Sequence, residues 1–439
     1  MKSTWKPPKK FSPLPVRVSK NQLVYLVVNF PRPASDAFLL SYHPLYPINR
    51  ETKYLATHKL CQHCLDYNRK MMPSQAATEQ TDRQALLIET IDLDAYFCTA
   101  TPSSSSRRQE ECVKAARSLQ STGCLYVRDS RVLHADNEAF LDLLERYFAS
   151  SDGIRDARPE LHYQVGVTPA MSEWPRNNCS RAAALPPAHR PVTLCPPEAD
   201  PKWRYFWRVG PLPPTPSRFP QLNTAPVIPP DFPEWSQIMD MWGRKMLAAV
   251  SGVAAALAEG FGLPADAFTK RMEYGPHLLA PTGSNFGGRF GKVGTVLAGY
   301  HYDLNFLTIH GKSRFPGLFV WLRDGRKVAV KVPEGCLLVQ AGKQCEYLTG
   351  GRILAGFHEV VVAPETREVI ERRRKEGASL WRVSSTLFSH IASDEVLRPL
   401  LKKEEGEESE GEREDGEKSE YPLAGEQVLS ELRAIKLGR

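Results

Sequence analysis

Residues 293–310 read VGTVLAGYHYDLNFLTIH. VGTVLAGYHY and FLTIH are apolar, β-branched stretches separated by turn formers, a composition that predicts two short strands. The same texture continues through GLFVWLR (317–323), KVAVKV (327–332), CLLVQAG (336–342), GFHEVVV (356–362) and LWRVSSTLF (380–388). Turn signals stand between them at Asp324-Gly325, Pro333-Glu334-Gly335 and Gly350-Gly351. Short strands at this density predict a closed antiparallel structure, a double-stranded β-helix (jelly roll) core over 266–398, in a mainly β fold with flanking helices.

Upstream, 85–265 reads as an N-terminal α/β region. ALLIETIDLDAY, from Ala85, predicts a strand; Glu110–Gln120 predicts a helix that Gly123 stops, and CLYV at 124–127 a further strand. Asp136 is placed to cap NEAFLDLLERYF, which carries Phe140, Leu143, Leu144 and Tyr147 on one face. Residues 152–230 are rich in proline and aromatics and read as loops covering the barrel mouth. Asp231 is placed to open the longest helix, which runs to about Glu259 and ends at Gly260. Downstream, the charged TREVIERRRKEGAS (366–379) reads as a surface loop. Residues 402–420 carry 10 acids against 4 bases and form a solvated acidic insert. Within 421–439, Val428, Leu429, Leu432 and Ile435 predict a docking C-terminal helix.

The 439 residues are 42% hydrophobic, enough for a packed core. The net charge of +7 suggests nucleic acid until it is located. Residues 1–70 hold 12 Lys and Arg against 3 acids, so the excess belongs to a basic, flexible N-terminal extension (1–78) and the body is near neutral. No basic stripe interleaved with aromatics supports a nucleic-acid partner. No apolar run reaches the roughly 20 residues of a membrane helix. His58, Cys61, His63 and Cys64 resemble half a zinc site, without a second pair. Nine scattered cysteines and no secretory signal pattern argue against a disulfide framework and for a cytoplasmic setting. Oligomeric state is not readable.

His301-Tyr302-Asp303 lies in a strand-like run, where residues i and i+2 share a face. An imidazole and a carboxylate can converge there. A third ligand from a distant strand, His358, would complete a 2-His-1-carboxylate set with open positions for substrate and oxygen on iron(II). A second HxD, His134-Ala135-Asp136, precedes a helix, where Asp136 has ordinary capping work.

The wider pattern resembles the iron(II)/2-oxoglutarate-dependent dioxygenases, in the isopenicillin-N-synthase-like branch. The resemblance rests on His301-Tyr-Asp303, Leu307-Thr308, Gly317-Leu318, Gly342, His358 and Arg382-Val-Ser384, and extends over about 85–437. It implies metal ligation and catalysis by His301, Asp303 and His358. It implies that Arg382 grips the cosubstrate carboxylate, a task suited to a guanidinium, and that Ser384 adds a hydroxyl. Iron(II) and 2-oxoglutarate would be the cofactors. O2 and a small organic molecule would be the partners, the latter hydroxylated or desaturated with release of succinate and CO2. Two departures stand out. His358 and Arg382 are 24 apart where the family has about ten, and Leu278-Leu279-Ala280-Pro281 lacks the tyrosine of the family's Asn-Tyr-Tyr-Pro. The Arg-x-Ser could therefore serve 2-oxoglutarate or the substrate carboxylate of an oxoacid-independent oxidase. A non-catalytic jelly-roll scaffold is the reading from another class.

For the substrate, Trp203, Tyr205, Phe206, Trp207 and Arg208 are dense enough to line a pocket. Phe290, Tyr300 and Phe319 read as barrel packing, and His310 as a satisfied core histidine.

Overall fold

The computed structural model describes residues 15–18, 22–25, 88–98, 102–401 and 421–437. The chain divides into two compact units, Met1–Ala85 and Leu86–Arg439. In the first, β1 (Pro15–Val18) and β2 (Gln22–Tyr25) pair as an antiparallel hairpin. The other residues of the basic extension, its His58–Cys64 cluster included, and the 402–420 insert lie outside the described residues.

The second unit opens with β3 (Thr90–Asp92) and α1 (Leu93–Phe97). The strand expected from Ala85 is cut short because the Asp92 carboxylate accepts from the Asp94 and Ala95 backbone N–H groups and starts a helix. Then come α2 (Pro102–Thr122), β4 (Cys124–Arg128) and α3 (His134–Ser150). Leu133, not Asp136, is the N-cap of α3; Asp136 reaches back from the first turn to the Leu133 N–H (3.3 Å) and holds Lys245. The proline-rich stretch carries β5 (Gly166–Thr168), α4 (Cys179–Ala184) and β6 (Trp203–Val209) among its loops. The longest helix, α5, is Trp235–Gly260. It starts four residues after Asp231, which instead pairs with Arg155 (2.7 Å).

Past α6 (Asp266–Met272) the β series follows. It comprises β7 (His277–Leu279), β8 (Thr282–Asn285), β9 (Val296–Tyr302), β10 (Leu307–Gly311), β11 (Leu318–Trp321), β12 (Lys327–Ala329) and β13 (Cys336–Ala341). After α7 (Lys343–Leu348) come β14 (Phe357–Val361), α8 (Pro364–Lys375), β15 (Trp381–Val383), β16 (Ser385–Ser389) and α9 (Ala424–Ala434). The stretch expected as a surface loop is thus helix α8. Pro364 sits in its first turn, Thr366 Oγ1 accepts from the Ala363 N–H (3.0 Å), and Ile370 is buried.

A large sheet runs β15-β8-β6-β7-β16-β10-β13-β4-β3, with β5 on β6; a smaller one runs β12-β11-β14-β9. Neighbours are antiparallel except β3 and β4. Together they form the jelly roll, and strands from both sides of residue 265 share the large sheet. Helix α5 buries Trp235, Met239, Trp242, Met246, Val250, Val253 and Leu257, spaced three and four apart along one face, against the large sheet, α2 and α3. Gly243 lets α5 touch β6, since a Cβ there would stand 2.6 Å from the Val209 side chain. Trp242 also donates its indole N–H to Ser385 Oγ (2.9 Å), tying helix to barrel. Trp242→Ala is expected to lower the unfolding free energy by roughly 3–5 kcal/mol, read by urea denaturation. Among the described residues no helix is long and apolar enough to cross a membrane.

Candidate metal centre

Strand β9 delivers His301 and β14 delivers His358; the two residues are direct partners in the ladder. Their rings lie 4.2 Å apart between centroids. Asp303 follows β9 at the turn into β10. Its Oδ1 is 3.7 Å from Nε2 of each histidine. These three are the one group of His, Cys, Asp or Glu side chains among the described residues whose ligand atoms converge, all within 4.8 Å.

Neighbouring groups fix each donor. His301 Nδ1–H donates to the Gly299 carbonyl (2.5 Å) and His358 Nδ1–H to the Gly356 carbonyl (3.2 Å). Each Nε2 therefore keeps its lone pair and faces Asp303, the tautomer a metal needs. Thr308 donates its hydroxyl to Asp303 Oδ2 (2.6 Å), leaving Oδ1 to the histidines. Burial pushes the Asp303 pKa up, but the facing His358 and His301 imidazoles outweigh it and hold the carboxyl below its usual range. Burial, then His358, pushes His301 down. The set fits a divalent ion: two imidazole nitrogens and one carboxylate, oriented without it.

A cavity of about 180 Å³ opens on this cluster between the two sheets. Arg382 and Ser384 line it. Arg382, on β15, is 6% exposed, and its Nε has no hydrogen-bond partner. Burial alone pulls it down to about 10. Ser384 Oγ accepts from the Thr282 N–H (2.9 Å) on the neighbouring strand. Leu278 and Ala280 line the wall where the family pattern would put its tyrosine. His310 also reaches the cavity, with Thr386 Oγ1 at 3.1 Å and Gln340 Oε1 at 2.9 Å from its ring nitrogens. Burial lowers its pKa to about 4.

The aromatic substrate candidates fall differently. Trp203, Tyr205 and Trp207 alternate onto the face of β6 that packs into the helical core; none lines the cavity. The opposite face presents Lys202, Arg204 and Phe206 to it. Arg208 shares that face but stops short, its Nη2 donating to the Pro211 carbonyl (2.8 Å). Phe290, Tyr300 and Phe319 pack in clusters away from the cavity.

Sequence reasoning missed the far wall. Glu173, Asp200, Lys202 and Arg204 form a buried ion cluster there: Lys202 bridges Glu173 (3.0 Å) and Asp200, and Arg204 touches Glu173. Burial works against the Lys202 charge, but Asp200 and Glu173 outweigh it and raise its pKa. Asp200 accepts the Gly299 N–H (2.9 Å), so the cluster braces the residue whose carbonyl holds His301. Gly299 is required there: a Cβ would stand 2.4 Å from Pro175. The segment bearing Glu173 and Arg176 is clipped by a Cys179–Cys195 disulfide, which the cysteine pattern did not suggest. Glu431 and Leu432 of α9, and Ile435 just after it, close the roof, with Arg176 bonding both Tyr302 and Glu431 at 2.8 Å.

Comparison with known proteins adds to this geometry. Residues 271–391 match the sequence profile of the 2OG-Fe(II) oxygenase superfamily. No curated protein sequence is significantly similar to the chain. Among solved structures, a Caulobacter crescentus protein described as a 2OG-Fe(II) oxygenase family member is 21% identical, with TM-score 0.55 over 79% of this chain and 98% of its own. A full-length Neurospora crassa protein, crystallised in complex with alpha-KG and thymine, is 18% identical, with TM-score 0.56 over 80% and 97%. At such identities these likenesses speak for the fold. With the profile match spanning His301, Asp303, His358 and Arg382, residues 271–391 are a 2OG-Fe(II) oxygenase domain, and the chain is an Fe(II)- and 2-oxoglutarate-dependent dioxygenase.

Proposed function

We propose that His301, Asp303 and His358 hold the iron, and that Arg382 with Ser384 receives the distal carboxylate of 2-oxoglutarate. The reaction is hydroxylation or desaturation of a small organic molecule. One observation carries this reading: converging ligand atoms and an unpaired buried guanidinium share one cavity. Iron(II) with 2-oxoglutarate and O2 would supply oxidation of a substrate C–H bond, with release of succinate and CO2.

The chain's own residues do the positioning. The Gly299 and Gly356 carbonyls hold the imidazole protons away from the cavity. Thr308 keeps Asp303 from rotating. Arg382 offers a charge that has no acid of its own, so an incoming carboxylate meets a cation already stripped of water. Trp174, Phe206, Leu432 and Ile435 keep the space apolar. No nucleic-acid partner belongs to this reading. A cytoplasmic setting does, on five free cysteines among the described residues; the Cys179–Cys195 pair would stand reduced there.

Anaerobic titration of the Fe(II)-loaded protein with 2-oxoglutarate tests the assignment. A metal-to-ligand charge-transfer band is expected, absent in His358→Ala and weakened in Arg382→Ala. Tight iron binding with no band would remove 2-oxoglutarate from the reading.

A further inference from the structure

The charges around the cavity limit what the substrate can be. Four cations line it: Arg176, Lys202, Arg204 and Arg382. Four carboxylates face them: Glu173, Asp200, Asp303 and Glu431. Arg176 is matched by Glu431 (2.8 Å), and Lys202 and Arg204 by Glu173 and Asp200. Among these cations, Arg382 alone has no acid. The proposed function gives that charge to 2-oxoglutarate, and the present inference rests on that reading. Iron(II) adds two positive charges and 2-oxoglutarate two negative ones, so the loaded cavity is neutral. Burial lowers the pKa of His310 and of His390, so neither adds a charge.

A substrate carboxylate would enter this space with no free cation to meet it. Arg208, buried and without an acid partner among the described residues, does not line the cavity. An unmatched buried charge is strongly disfavoured, the more so against apolar walls such as Trp174, Phe206, Leu318 and Val360. One donor is nonetheless unpaired. Arg204 lies 4.0 Å from the Phe206 ring centroid, and its buried Nε has no hydrogen-bond partner. Its charge is matched while its donor capacity is not, a combination that suits a neutral acceptor.

We infer that the substrate is an uncharged organic molecule, anchored through a carbonyl or hydroxyl oxygen by Arg204. Acids are excluded by the ion pairs of the far wall.

A matched pair of probes tests this. Anaerobic Fe(II)·2-oxoglutarate-loaded protein is titrated with phenylacetamide and with phenylacetate, following the charge-transfer band and the heat of binding. The amide is expected to bind at least about tenfold more tightly. Glu173→Gln and Glu431→Gln each free a cation and should shift the affinity ratio toward the carboxylate by at least about tenfold. Glu431, paired with half-exposed Arg176, keeps the test alive if the buried Glu173 variant does not fold. Equal or tighter binding of phenylacetate to the wild type, no amide binding, or a ratio unmoved in the variants that fold overturns the inference. Failure to form the 2-oxoglutarate complex at the outset is a different result: it sinks the underlying site assignment, and this inference with it.

Discussion

Asp303→Ala is expected to lower iron affinity by more than about 100-fold and to abolish succinate release. Groups that merely orient a metal ligand already cost 10–100-fold when removed, and Asp303 is the sole anionic donor in the cluster. Thr308→Val is the graded companion. It removes the hydrogen bond to Asp303 Oδ2 but leaves the carboxylate, so its loss should fall within about 10–100-fold. Equilibrium dialysis against Fe(II), with circular dichroism as the folding control, reads both. Equal losses in the two variants would mean that Asp303 acts through packing and not as a ligand.

Arg382→Met should move cosubstrate binding and apo stability in opposite directions. Without the guanidinium, the distal carboxylate of 2-oxoglutarate has no cation, a loss of about 2–5 kcal/mol, or roughly 30- to 4,000-fold in Kd. The apo protein is expected to gain stability, because a cation pulled down to about 10 by burial opposes folding, and methionine fills similar space without charge. Isothermal titration and urea unfolding of the same sample give both numbers. A variant that binds 2-oxoglutarate normally would release Arg382 from the proposed role.

The candidate metal cluster was legible because two histidines and an aspartate fall in a spacing that two strands convert into contact. His301 lies at the end of β9 with Asp303 two residues on, just past the strand, and the ladder places His358 opposite His301. The jelly roll was legible for a similar reason: each strand carries its own turn signal. The misreadings have local causes. In Trp203–Val209 the density of aromatics drew attention to the whole segment, whereas period-two alternation separates Trp203, Tyr205 and Trp207, turned to the core, from Arg204 and Phe206 on the cavity. Applying that alternation to WRYFWRV would have found Arg204. Helix α8 was hidden by its charge: only Val369 and Ile370 mark its inner side, too few for a period. The roof could not be read at all. Glu431 meets Arg176 across 255 positions of sequence, and nothing local announces such a pairing.

The Cys179–Cys195 bridge bears on how this chemistry is handled at the bench. It closes a 16-residue separation beside the segment that supplies Glu173, Trp174 and Arg176, a constraint worth about 3 kcal/mol against the open chain. Dithiothreitol, added to keep iron ferrous, would also cut this clip and loosen one wall of the reaction chamber. Ascorbate leaves a disulfide intact. Turnover measured with one reductant and with the other therefore compares two differently tethered enzymes, and a laboratory's choice of additive becomes a structural variable.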